Sequence, residues 1–166
     1  MVKNLFLVRH AEATQNTAGV KDIERELTAK GYRDAPRIGR YFSENQIFPD
    51  MILCSSAVRA QSTAELMAEQ LKYETNRIDY SEELYNASVR SLLAAINDAD
   101  DAWNTLIVVG HNPAISYLSE YLSGEAIGSM DTAGYVRIEF EINSWQEVSQ
   151  DSGTFILYQT PENTII

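Results

Sequence analysis

The sequence predicts an α/β protein, a three-layer α/β/α sandwich. Its central sheet is mostly parallel and carries an antiparallel element at the C-terminal end. Two observations lead there. Short continuous apolar runs (KNLFLV, DMILC, TLIVVG) are separated by helical patterns. Parallel strands covered by helices on both faces read this way. The last part of the chain then changes character: GYVRIEFEI alternates apolar and polar residues, as a half-buried strand does. The 166 residues fit one domain, 1–166, with a single sizeable core.

Taken in order, residues 3–8 form the first strand, which ends in a polar turn at Arg9 and His10. From Thr28 to Glu44 the residues Ala29, Tyr32, Ala35, Ile38 and Phe42 keep a helical period. Pro36 lies inside that stretch, and an interior proline costs roughly 3 kcal/mol. A kink is expected there, or two segments with a new start near Asp34. Residues 50–54 form the second strand. The next helix puts Ala60, Ala64, Met67 and Leu71 on one face, with Ser55 or Ser56 as its N-cap. Ser88–Asp98 reads as a third helix and 105–109 as the third apolar strand. The stretch NPAISYLSEYL opens a helix with Asn112 as N-cap and Pro113 at the first helical position. The alternating strand lies within 133–142; NSWQEVSQDSG then turns into the final strand, TFILYQT. Strands 3–8, 50–54 and 105–109 are expected side by side at the centre.

Composition narrows the partners. Thirteen basic against 24 acidic residues leave a net charge of −11. Such a surface repels nucleic acid and anionic membranes, so neither is expected as a partner. Apolar runs are too short for a transmembrane helix, and MVKNLFLVRH lacks a secretory leader's long apolar stretch. Cys54, the single cysteine, has no internal disulfide partner, so a cytoplasmic location is the default. In so acidic a chain, any clustering of cations is informative.

Open α/β sheets bind ligands just beyond the carboxyl ends of their strands. At that edge fall Arg9 and His10 after the first strand, Arg59 one turn beyond the second, and His111 after the third. Both histidines of the chain and two of its nine arginines are there. Arg59 is poorly placed for the helix macrodipole, which favours anions at an N-terminus. It suits an anion held between its guanidinium and the helix start. Planar guanidinium groups match phosphate oxygens. A histidine among arginines loses proton affinity, which leaves a neutral, nucleophilic imidazole at His10.

At this point four segments become recognisable. LVRHAEA resembles the Arg-His-Gly signature of the histidine phosphatase superfamily, which includes the phosphoglycerate mutases. CSSAVRAQSTAE resembles its second-arginine segment, VVGHNP its second-histidine segment, and IERELTAKG a further stretch in which an arginine precedes Leu-Thr. The small size, LYNAS and DTAGYVRIEFEINSW look most like the SixA-type phosphohistidine phosphatases. The resemblance implies the phosphoglycerate mutase-like fold. It makes His10 a nucleophile that becomes transiently phosphorylated. It gives Arg9, Arg59, His111 and Arg25 the phosphoryl oxygens. Asn16 stands where relatives often carry a polar contact, although a loop asparagine reads equally well there.

Two departures matter. Ala11 replaces the usual glycine after the histidine, so the backbone there must tolerate a Cβ. Asn86 stands where relatives acting on alkyl phosphates carry a glutamate; Glu82 and Glu83 are near but out of register, with Glu83 the candidate general acid. The one dense acidic run, DADD (Asp98–Asp101), reads as a solvated turn at the opposite edge, so no metal and no cofactor are expected. The expected activity is hydrolysis of phosphohistidine on a partner protein through a covalent phosphohistidine intermediate, independent of metal. A small-molecule phosphomonoesterase acting on a phosphate ester and a non-catalytic phosphate-binding module are the alternatives.

Overall fold

The computed structural model describes residues 1–163. Six strands and four α-helices are described: β1 (Val2–Arg9), α1 (Ala29–Glu44), β2 (Met51–Ser55), α2 (Val58–Gln70), β3 (Asp79–Ser81), α3 (Val89–Asn97), β4 (Thr105–Gly110), α4 (Ala114–Ser123), β5 (Tyr135–Glu141) and β6 (Thr154–Gln159). They form one mixed sheet in the order β3-β2-β4-β1-β5-β6. The three strands read from apolar runs are neighbours. β1 pairs with β4 in parallel, β4 with β2, and β2 with β3. β5 and β6 add the antiparallel element beside β1. The predicted α/β/α class is therefore the observed one. β3 was not read from the sequence, since three residues are too few to show a period.

Alternation along the central strands explains their unbroken hydrophobicity. Phe6 and Val8 of β1 pack under α1 and α2, while Leu5 and Leu7 point to α3 and α4. In β4, Ile107 and Val109 join the first face, Leu106 and Val108 the second. The middle of each strand is buried on both sides, so its residues are apolar without alternation. No helix among the described residues is long and apolar enough to cross a membrane.

α1 and α3 have the ends read from the sequence; the differences lie at the caps of α2 and α4 and at one proline. α1 is a single helix with Pro36 inside it, opened by Thr28, whose hydroxyl accepts the Gly31 N–H at 3.1 Å. There is no second start near Asp34. That residue is buried within the helix and ion-paired to Lys30 at 2.6 Å. The proline's cost is offset by tertiary contact: α1 lies so close to α2 that Gly39 abuts the backbone of Met67.

Neither Ser55 nor Ser56 caps α2. Ala57 occupies the N-cap position with no side-chain cap bond, and the Ser55 hydroxyl accepts the Ala57 N–H. In α4 the cap position falls on Pro113, not Asn112. The Asn112 amide instead donates to Ser129 Oγ and to the Met130 carbonyl, and its Oδ1 accepts from Ser116 Oγ. The DADD run is more than a solvated turn. Asp101 accepts the Trp145 N–H on its carboxylate, and its carbonyl accepts from the buried Lys3 Nζ at 2.8 Å.

Candidate active site

Because β1 and β4 run parallel in register, Arg9 sits beside Gly110. The next residue of each strand is a histidine. His10 donates its backbone N–H to the Gly110 carbonyl at 3.1 Å, and the two imidazole rings lie 5.0 Å apart between centroids. β2 ends next to β4, which brings the first turn of α2, with Arg59, to the same edge. The sheet thus assembles Arg9, His10, Arg59 and His111 from three strand ends.

His10 is 8% exposed, and its Nδ1 lies 2.8 Å from the Ala11 carbonyl. A carbonyl only accepts, so Nδ1 carries the proton and Nε2 holds the free lone pair. Burial pushes the imidazole pKa down to about 3, with His111, Arg59 and Arg9 adding to the shift against the Ala11 hydrogen bond. At neutral pH the ring is uncharged, with the Nε2 lone pair free. Ala11 itself is fully buried, and its N–H donates to Thr63 Oγ1 at 2.9 Å. The Thr63 hydroxyl in turn donates to the Arg59 carbonyl at 2.7 Å. One side chain thereby ties the backbone behind the nucleophile to the helix turn that carries Arg59.

The cations are held by acceptors. Arg9 Nη1 donates to the Met130 carbonyl at 2.7 Å. Arg59 donates from Nη1 to the Asp22 carbonyl at 2.8 Å and from Nη2 to Asp22 Oδ2 at 3.1 Å. Arg25 reaches the other oxygen of the same carboxylate, Nε to Oδ1 at 2.9 Å, and also donates to the Thr14 carbonyl. Tyr85 donates its hydroxyl to Asp22 Oδ2 at 2.6 Å and sets its ring edge-on to His111. Asp22 thus joins Arg25 to Arg59, and its pKa falls to about 2, first through the Tyr85 hydrogen bond and then through Arg59 and Arg25. His111 Nε2 lies 2.7 Å from Ser55 Oγ, and burial, with Arg59, lowers its pKa to about 4.

Three buried nitrogen atoms of this cluster have no protein partner: Arg9 Nε, Arg59 Nε and His111 Nδ1. An unsatisfied buried polar group costs roughly 1–3 kcal/mol, so such a concentration calls for an explanation. A phosphoryl group supplies the acceptors that these atoms lack.

Not every candidate joins the cluster. Asn16 is exposed in the loop after β1 and makes no side-chain hydrogen bond. Glu83 is exposed on the short turn Glu82–Leu84 and lines a different cavity, with Leu53, Asp79 and Trp103. Asn86 lines the cavity of about 420 Å³ beside His111, together with Tyr85, Ser88, Asn112 and Tyr117. No carboxylate belongs to that lining. Sequence reasoning missed Asp22, Tyr85, Ser55 and Thr63 as members of the site. Asp22 stands three residues before Arg25, and Tyr85 one before Asn86, so each lay inside a segment already singled out.

Comparison with known proteins adds an independent line. Residues 5–88 match the family model of the histidine phosphatase superfamily (branch 1). The uncharacterized protein Rv1276c of Mycobacterium tuberculosis is 33% identical over 131 residues, 79% of this chain and 78% of that protein. The crystal structure of the provisionally assigned phosphohistidine phosphatase SixA from Agrobacterium tumefaciens superposes with a TM-score of 0.80 at 26% identity, covering 96% of this chain and 98% of that one. The structure of the protein histidine phosphatase SixA complexed with tungstate gives a TM-score of 0.83 at 21% identity over 96% and 98% of the two chains, a likeness of fold. The family match spans half of the sequence and contains Arg9, His10, Arg25 and Arg59, while His111 follows from the strand register. The chain belongs to the histidine phosphatase superfamily, branch 1.

Proposed function

We propose that the protein hydrolyses phosphohistidine carried by a partner protein, by way of a phosphohistidine intermediate on His10. The observation that carries this reading is the chemistry of the cavity beside His111. It holds Asn86 and no carboxylate, and Asp22, bonded to Arg25, Arg59 and Tyr85, is kept ionised down to about pH 2. No carboxylic acid there is available to donate a proton to an alkoxide, which is a poor leaving group.

A phosphohistidine needs no such donor. With its other ring nitrogen protonated, the substrate imidazole leaves neutral. His10 Nε2 attacks phosphorus, the N–P bond to the substrate breaks, and the N–P bond to His10 forms. The proton stays on His10 Nδ1, donated to the Ala11 carbonyl, so donor and acceptor rings exchange the phosphoryl group between equivalent states. Water then attacks phosphorus, the second N–P bond breaks, and inorganic phosphate departs. Arg9, Arg59 and His111 supply donors to the phosphoryl oxygens, whose charge must be balanced through transfer. Arg25, coupled to Arg59 through Asp22, belongs to the same clamp. The binding of tungstate, a tetrahedral oxyanion, by the SixA structure of the same fold supports this use of the pocket.

The test is kcat/KM measured side by side on a phosphohistidine-bearing protein and on an alkyl phosphate such as phosphoglycerate. The phosphohistidine should be the faster substrate. If the ester is faster and Asp22→Asn or Glu83→Gln cripples it, the protein is a phosphomonoesterase with an acid of its own.

A further inference from the structure

The two histidines of the site are held by opposite kinds of partner. His10 Nδ1 faces a carbonyl, which can only accept. His111 Nε2 faces a hydroxyl, Ser55 Oγ, at 2.7 Å. Ser55 is the last residue of β2 and is fully buried. Its oxygen already accepts the Ala57 N–H at 3.1 Å, which fixes the side chain at the turn into α2. Among the described residues, His111 Nε2 is the one acceptor within reach of the hydroxyl proton.

Two arrangements of a neutral His111 are then conceivable. In the first, Nε2–H donates to Ser55. The hydroxyl proton is then buried without an acceptor, and Nδ1 presents a bare lone pair towards the phosphoryl site. In the second, Ser55 donates to Nε2 and the ring proton sits on Nδ1. Both Ser55 bonds are satisfied, and Nδ1–H becomes a donor. Each arrangement leaves one buried proton without a protein acceptor, the Ser55 hydroxyl in the first and His111 Nδ1–H in the second, and a phosphoryl oxygen can satisfy only the second, which tips the balance about tenfold or more once the oxyanion is bound. His111 Nδ1 is itself buried and has no partner in the protein, 5.0 Å ring to ring from His10. A lone pair at that place would repel phosphoryl oxygens; an N–H would bind one.

We infer that Ser55 is a positioning residue: it holds His111 in the Nδ1–H form, so that an uncharged ring offers a hydrogen-bond donor to the phosphoryl group as it passes to His10. The lowered proton affinity of His111 makes this necessary. At neutral pH the ring carries a single proton, so its tautomer alone decides whether it can donate. The inference rests on phosphoryl transfer at His10 and not on which group leaves.

The tautomer is read directly from long-range 1H–15N spectra of the uniformly labelled full chain at pH 7 with saturating inorganic phosphate. His111 should show a protonated Nδ1 and an unprotonated Nε2. In Ser55→Ala the preference should be lost, and kcat on p-nitrophenyl phosphate, an ester whose leaving group needs no acid, should fall roughly 10- to 100-fold, the size typical when a supporting hydrogen bond to a functional histidine is removed. In a His111→Ala background the same substitution should change kcat less than about twofold, because the hydroxyl acts through the ring. A wild-type His111 protonated on Nε2 would overturn the inference. So would an equal loss from Ser55→Ala in both backgrounds, which would make Ser55 a structural residue. The spectra need no substrate, so this result is separable from the comparison of phosphohistidine with ester.

Discussion

At the scale of the residue, the chemistry depends on where a proton sits. The Ala11 carbonyl frees the Nε2 lone pair of His10, and burial keeps that ring uncharged. His10→Ala should therefore abolish turnover while leaving the fold in place, and rapid quenching of the wild type should trap acid-labile phosphate on His10. A variant that keeps the wild-type rate would refute the mechanism. On the proposed mechanism, Arg59→Ala removes one charged donor to the transferring group. By analogy with the loss of one oxyanion-hole donor it should cost about 3 kcal/mol of transition-state stabilisation, roughly a 10²-fold drop in kcat/KM. Arg59 was legible in the sequence because a cation on a first helical turn is out of place unless an anion joins it. Asp22 was not legible. Its role comes from the loop after β1 folding back over α2, and a lone aspartate on a loop carries no periodicity to announce it.

At the scale of the element, strand ends were readable, as were the ends of α1 and α3, but the caps of α2 and α4 were not. A strand buried on both faces is a run of apolar residues, and its end is the first polar residue, so Arg9 and Gly110 could be placed from the sequence. A cap is chosen by competition among partners. Asn112 had a good capping side chain but spends it on Ser129 and Met130 across the site. Pro36 shows tertiary contact overriding local preference, since α1 runs through it against α2. That contact can be tested at Gly39. A Cβ there would stand 2.7 Å from the Met67 carbonyl oxygen and 2.8 Å from its Cα, both backbone atoms that cannot rotate away. Alanine gains about 1 kcal/mol of helix propensity over glycine. Overpacking a tight contact costs about 1–3 kcal/mol. The steric term should win, so Gly39→Ala should lower the urea midpoint by an amount equal to about 1–2 kcal/mol with an unchanged m-value. A midpoint that rises would mean that α1 and α2 can separate without loss.

At the scale of the whole molecule, the topology gathers cations at one sheet edge of a chain with a net charge of −11. Concentrating Arg9, Arg25 and Arg59 around two buried imidazoles has a consequence for stability in acid. His10 and His111 have folded pKa values of about 3 and about 4, both below the ordinary 6.5 of an unfolded chain. Between those values and 6.5 the unfolded state binds more protons than the folded state. Stability therefore rises with pH across this window, levels off above it, and is lost as pH falls. Each histidine contributes a slope on the order of 1 kcal/mol per pH unit at most. Asp22 and Glu162 act in the same direction, but around and below their ordinary 3.8 and 4.5, so the histidines dominate the interval from pH 6 to 5. Urea unfolding at pH 7, 6 and 5 should show the wild type losing stability throughout that interval. His111→Asn carries no ring to titrate, so its loss should be about half as steep. A wild type equally stable from pH 7 to 5 would mean that both rings accept protons in the folded state without penalty, and the neutral nucleophile at His10 would lose its physical basis.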